Sequence, residues 1–182
     1  MTHTPYVFLD IETTGMSPRT GGRIIEIGAL RMENYKIVSK MNTFVYPETD
    51  IPYFITDITG ITDEHVALAP LFHEICDQLD EITRDAIFVA HNVNFDYGFI
   101  QEEYRKIDKE FTRARLCTVQ LSRALNPEQK GHSLGKIIER YGYAVNNRHR
   151  AYDDAEVLYR FFTDMRLHDD SMLQTHIQRL LR

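Results

Sequence analysis

Apolar positions along the chain follow two rhythms. Tyr6–Ile11 (Tyr-Val-Phe-Leu-Asp-Ile) is almost wholly apolar, which predicts a central strand buried on both faces. Arg23–Met32 and Ile37–Val45 read as two further strands, the later one loosely alternating at Val38, Met41, Thr43 and Val45. Gly21-Gly22 and Glu33-Asn34 supply the turns, so the first three strands predict an antiparallel meander. From Pro47 to Pro70 the pattern is irregular, with short helical turns. It then becomes helical over Leu71–Ile82, with Leu71, Phe72, Ile75, Leu79 and Ile82 on one side. Ala86–Ala90 returns to strand, Asn94–Ile107 to helix with Phe95, Phe99 and Ile100 inward, and Leu116–Thr118 to a short strand. Helices are predicted over Thr118–Leu125, Ser133–Tyr141 and Ala151–Leu167, the last with Ala155, Leu158, Phe161, Phe162 and Met165 on one face. Strands first and helix–strand alternation later describe an α/β chain, a mixed sheet flanked by helices. No linker or repeat interrupts it, so residues 1–182 read as one domain. Residues 168–182, amphipathic through Leu173, Ile177, Leu180 and Leu181, read as a helical extension that packs on the body or docks a partner.

Composition alters this picture little, whereas charge alters it more. The 182 residues are 43% hydrophobic and 26% charged. A core of that size needs neither disulfide nor structural metal. Twenty-one basic against 27 acidic residues give −6, which taken alone argues against a nucleic-acid partner. The sum is uneven, however. Residues 1–96 carry 6 basic and 15 acidic groups, and residues 97–182 carry 15 and 12. Between Arg105 and Arg150, 11 basic groups face only four acids. Such a stretch is either a set of solvated helix faces or a phosphate-tracking surface beside an acidic site. Cys76 and Cys117 lie far apart with no C-x-x-C, so neither zinc nor a disulfide framework is indicated, and a cytoplasmic location is expected. Met-Thr-His-Thr-Pro at the start shows no secretory pattern, and no apolar run nears the roughly 20 residues of a membrane span.

Four segments place polar groups where core or turn residues are expected. In Asp10-Ile11-Glu12-Thr13-Thr14-Gly15 the i, i+2 spacing projects Asp10 and Glu12 to one face of a strand. Two carboxylates there repel, and a hard divalent cation resolves the repulsion. Otherwise Glu12 ends the strand in solvent and Asp10 caps a turn. In His91-Asn92-Val93-Asn94-Phe95-Asp96, Asp96 falls at a helix start, where an anion is favoured, or Asn94 or Asp96 is merely the cap. In His149-Arg150-Ala151-Tyr152-Asp153-Asp154, Asp154 shares a helix face with Ala151, Leu158 and Phe162, an expensive place for an acid without a partner. His149 precedes that helix on a loop. Ile58-Thr59-Gly60-Ile61-Thr62-Asp63-Glu64 is a tight turn entering a helix, capped by Thr62 or Asp63.

Taken in order, these segments resemble the DEDDh 3′→5′ exonucleases, the superfamily of bacterial proofreading subunits and RNase T. The resemblance spans Tyr6 to about Phe162. It rests on Phe-Leu-Asp-Ile-Glu-Thr-Thr-Gly, Ile-Ile-Glu-Ile-Gly-Ala, Thr-Gly-Ile-Thr-Asp-Glu, Ala-His-Asn-Val-Asn-Phe-Asp and His-Arg-Ala-Tyr-Asp-Asp-Ala. It implies a ribonuclease-H-like sheet, metal-binding carboxylates at Asp10, Glu12, Asp96 and Asp154, and a general base at His149. It also implies a pocket for the terminal nucleotide at Thr13, Thr14, Met16, Ile58, Thr59, Asn92 and Phe95, with Met16 wedged against the last base. Thr59 stands where several proofreading subunits have His, as in the exonuclease domain built into some large replicative polymerases.

The chemistry fits this inventory. Four hard-oxygen ligands suit two divalent cations, Mg²⁺ or Mn²⁺. A histidine, with an ordinary pKa near 6.5, takes protons close to neutral pH. The expectation is a metal-dependent 3′→5′ exonuclease releasing nucleoside monophosphates from single-stranded or frayed DNA, in proofreading or repair. Trimming of RNA 3′ ends, or a non-catalytic nucleic-acid-binding module, is the alternative. The partners expected are nucleic acid and a polymerase or other replication or repair protein, with no membrane.

Overall fold

The computed structural model describes residues 4–181; Met1–His3, part of the segment from which the absence of a leader is read, and Arg182 lie outside them. Strands β1 (Tyr6–Thr13), β2 (Ile24–Glu33) and β3 (Lys36–Phe44) form the expected antiparallel meander. Helices α1 (Tyr53–Thr59), α2 (Asp63–Val66) and α3 (Phe72–Thr83) follow. Then come β4 (Ile87–Ala90), α4 (Asn94–Lys106), β5 (Arg115–Cys117), α5 (Thr118–Leu125), α6 (Leu134–Tyr141) and α7 (Ala151–Leu180). The sheet order is β3-β2-β1-β4-β5, with β4 and β5 parallel to β1. This is the mixed α/β sheet flanked by helices that the pattern predicts.

The strand period of two divides the core. Val7, Leu9 and Ile11 of β1 join the side chains of α3 and α4 on one face. Tyr6 and Phe8 join those of α5, α6 and α7 on the other. Asp10 and Glu12 continue that second row and so point toward α7. The β4 strand pairs with β1 only as far as Phe8↔Val89, so the far end of β1 has no strand on that side. Parallel strands that part in this way leave a crevice beyond their carboxyl ends.

Two predicted helices are joined. The chain from Ala151 to Leu180 is helical throughout except at Asp169, whose φ of −159° and ψ of 95° break it. Beyond the break Leu173 and Ile177 are buried in the same cluster as Phe8 and Phe162. No helix among the described residues is long and apolar enough to cross a membrane.

Candidate active site

Each proposed ligand comes from a different local logic. Asp10 and Glu12 lie within β1, which runs on to Thr13, so Glu12 neither ends the strand nor faces open solvent. Asp96 lies in the first turn of α4 and is 2% exposed. It does not cap its own helix: the N-cap is Val93 with no side-chain bond. Instead its Oδ1 accepts from the Ile11 N–H at 3.2 Å, between Asp10 and Glu12, a donor for which β4 no longer has a partner. Asp154, in the first turn of α7, is 4% exposed. A ligand atom from each of Glu12, His149 and Asp154 lies within 4.8 Å of the other two.

Electrostatics ties the five together. Burial pushes Asp10 well above the usual carboxylate range, and the charges of Asp96, Glu12 and Asp154 push it further. Glu12 is raised to about 8, first by burial and then by Asp154, Glu26 and Asp96. Asp96 is raised to about 8 by burial, against the pull of backbone N–H groups including that of Ile11. Asp154 is raised by burial and held back by Arg148, which hydrogen-bonds its Oδ1. Four carboxylates that resist ionising together make an all-oxygen donor set for hard cations, and the Arg148 guanidinium is the cation among them here.

The expected nucleotide pocket is more divided. Met16 is 79% exposed and shares with half-buried Phe95 an open cavity of about 730 Å³. Ile58 and Asn92 are exposed but do not line that cavity. Thr13, Thr14 and Thr59 are buried with their hydroxyls engaged internally: Thr13 donates to the Gly15 carbonyl, Thr14 accepts from the Arg23 N–H, and Thr59 donates to the Ile55 carbonyl. Thr62 is the cap of α2, and Asp63 instead accepts from the Ile51 N–H.

Three residues near the site escaped the sequence reading. Glu26 is 1% exposed beneath the start of α7; an acid inside Ile-Ile-Glu-Ile-Gly-Ala carried the same signal as Asp10 in β1. Arg148 sits in a run of polar residues and carried none. His91, held by Thr118 at 3.0 Å, is lowered to about 4 by burial and by Arg148. It stays uncharged across the physiological range.

A family model described as "Exonuclease" matches residues 7–162. The chain belongs to that family, RNase_T. It is 39% identical over 160 residues to the "DNA polymerase III PolC-type" of Caldanaerobacter subterraneus subsp. tengcongensis, covering 88% of this chain and 11% of that protein. It is 35% identical over 161 residues to the "3'-5' exonuclease DinG" of Bacillus subtilis, covering 88% of this chain and 17% of that protein. The chain thus spans a small fraction of the relatives' length. Among solved structures, Exonuclease X in complex with 5′ overhanging duplex DNA superposes with a TM-score of 0.74 at 25% identity, covering 91% of this chain and 93% of that one.

Proposed function

We propose that the chain removes nucleotides singly from the 3′ end of single-stranded or frayed DNA, releasing nucleoside monophosphates, as a proofreading or repair activity. The observation carrying this is the meeting of Asp10, Glu12, Asp96, Asp154 and His149 where β1 and β4 part. Asp10, Glu12, Asp96 and Asp154 would hold two divalent ions, Mg²⁺ or Mn²⁺. When bound, such ions would lower the pKa of a water and offset negative charge at a phosphodiester. His149, exposed on its loop, takes the proton from that water. Met16 and Phe95 hold the last base, with Thr13, Thr14 and Thr59 bracing the turns beneath, while Ile58 and Asn92 lie outside the cavity beside Met16 and Phe95. The names of the relatives favour DNA and a polymerase partner. RNA 3′ ends are the second reading, because nothing in the site identifies a contact to a 2′-hydroxyl.

The test is a time course on 5′-labelled and 3′-labelled single-stranded DNA and RNA with Mg²⁺, Mn²⁺ or EDTA. Early loss of the 3′ label, a descending 5′-label ladder and abolition by EDTA are expected, faster on DNA. A blocked 3′ end degraded as fast as a free one overturns the polarity, and faster loss of RNA overturns the substrate. His149→Ala should lose most turnover yet keep metal and DNA binding, whereas Asp10→Ala should lose hydrolysis and weaken metal binding together.

A further inference from the structure

The residues just after His149 are held by a device on β2 that the family assignment does not require. Glu26, directly across from Glu12 in the β1–β2 register, is buried on the same face of the sheet. Its carboxylate accepts three hydrogen bonds from Arg150, from Nε at 3.0 Å and 3.1 Å to the two oxygens and from Nη2 at 2.7 Å. It also accepts the Ala151 N–H at 3.0 Å. That N–H is one of the first-turn donors of α7, whose N-cap, Arg150, offers no side-chain bond of its own. A strand carboxylate therefore caps the helix from outside, where the helix dipole favours an anion. Arg150 offsets part of the like charge that Glu26 sets against Glu12. The seat is closed by Gly28, where a Cβ would meet the Tyr152 nitrogen at 2.2 Å. His149 precedes this clamp by one residue and holds a left-handed backbone, φ 60°.

We propose that Glu26 and Arg150 are a positioning pair for His149: the fork between them sets the imidazole over the carboxylates and acts on rate through that side chain. The proposal rests on the role of His149 given above. A base misplaced by about 1 Å loses much of its effect, so the pair's contribution should vanish when the imidazole is absent.

The experiment is a double-mutant cycle on the full chain. Single-turnover rates with 5′-labelled single-stranded DNA and Mg²⁺ are measured for wild type, Arg150→Ala, His149→Ala and the double variant. Calorimetric Mn²⁺ binding and thermal melting are measured on each. Arg150→Ala should lower the rate about 30-fold with little change in KM and in Mn²⁺ affinity, but less than about 2-fold in the His149→Ala background. Arg150→Lys, which keeps the charge without the fork, melts near wild type and should recover only part of the rate; it replaces Arg150→Ala in the cycle if that variant does not fold. An equal loss in both backgrounds, or no loss in the first, overturns the proposal. Inactive wild-type protein would refute the nuclease reading itself, which the cycle does not touch.

Discussion

Glu12 and Asp96 have carboxyls raised to about 8 by burial among other acids, against ordinary values near 4. A carboxyl whose folded pKa exceeds its unfolded one stabilises the fold while protonated. That contribution is present below the unfolded value and lost as pH rises through the folded one. Metal-free protein should therefore melt at a lower temperature at pH 8.5 than at pH 5.5, and Glu12→Gln with Asp96→Asn should flatten that fall. Divalent ions compete with these protons, so their stabilising effect should grow over the same interval. A metal-free melt that rises with pH would contradict the assignment. Arg148 belongs to the same balance. Its guanidinium bonds Asp154 and counters the charge of Asp10 and Glu12, so an incoming ion must displace it. Arg148→Gln should bind Mn²⁺ several-fold more tightly by calorimetry, and weaker binding would show that Arg148 aids the ion instead of competing with it.

Among the elements, the approach of α7 to β2 decides whether the site exists. Gly28 lies across from Asp10, and a Cβ there would stand 2.2 Å from the Tyr152 nitrogen and 2.3 Å from the Ala151 carbonyl carbon. Both are backbone atoms, so Gly28→Ala must lift the start of α7, carrying His149 and Asp154 from β1. A stability loss of about 1–3 kcal/mol with at least a tenfold loss of turnover is expected from melts and hydrolysis rates on one preparation. Most of this architecture was legible. Apolar periodicity placed the five strands and helices α3 to α6 to within two residues but left α1 and α2 inside an irregular stretch and ended α7 at Leu167, and a polar group in an apolar run exposed Asp10 and Asp154. Glu26 gave the same signal inside β2, but its partner Arg150 is 124 positions away, and pattern alone cannot pair them. The break in α7 was legible only as composition: Asp169 caps the returning half by accepting from the Met172 N–H at 2.9 Å. We propose that the extension from residue 168, as far as the described residues reach at Leu181, belongs to the same folded unit. Leu173 is fully buried, so Leu173→Ala should cost about 2–5 kcal/mol, a fall of about 5–15 °C in melting temperature, with kcat/KM retained. Lost turnover without lost stability would instead place the segment in the substrate path.

At the scale of the whole molecule, the basic stretch from Arg105 to Arg150 is largely spent within the fold. Arg105 pairs with Glu102, Lys106 with Glu103, Lys109 with Asp77, Arg113 with Asp80, Lys136 with Glu139, Arg148 with Asp154 and Arg150 with Glu26. Arg115 lies over the Tyr97 ring. Of the two readings of that stretch, solvated and internally paired faces therefore outweigh a phosphate track. Under the proposed function, a protein with a net charge of −6 and these cations paired would hold a strand chiefly at its terminus, through the carboxylates and the cavity beside Met16 and Phe95. Affinity should then saturate within a few nucleotides of length and depend weakly on salt. On single strands the slope of log K against log salt is about −0.7 for each phosphate neutralised, so a surface using seven cations would give about −5. Titration of His149→Ala protein with fluorescent oligonucleotides, at fixed Mg²⁺ and varied KCl, should give a slope no steeper than about −2. A slope near −5, with affinity still rising beyond ten nucleotides or so, would mean that phosphates break these pairs and that the basic stretch carries the strand after all.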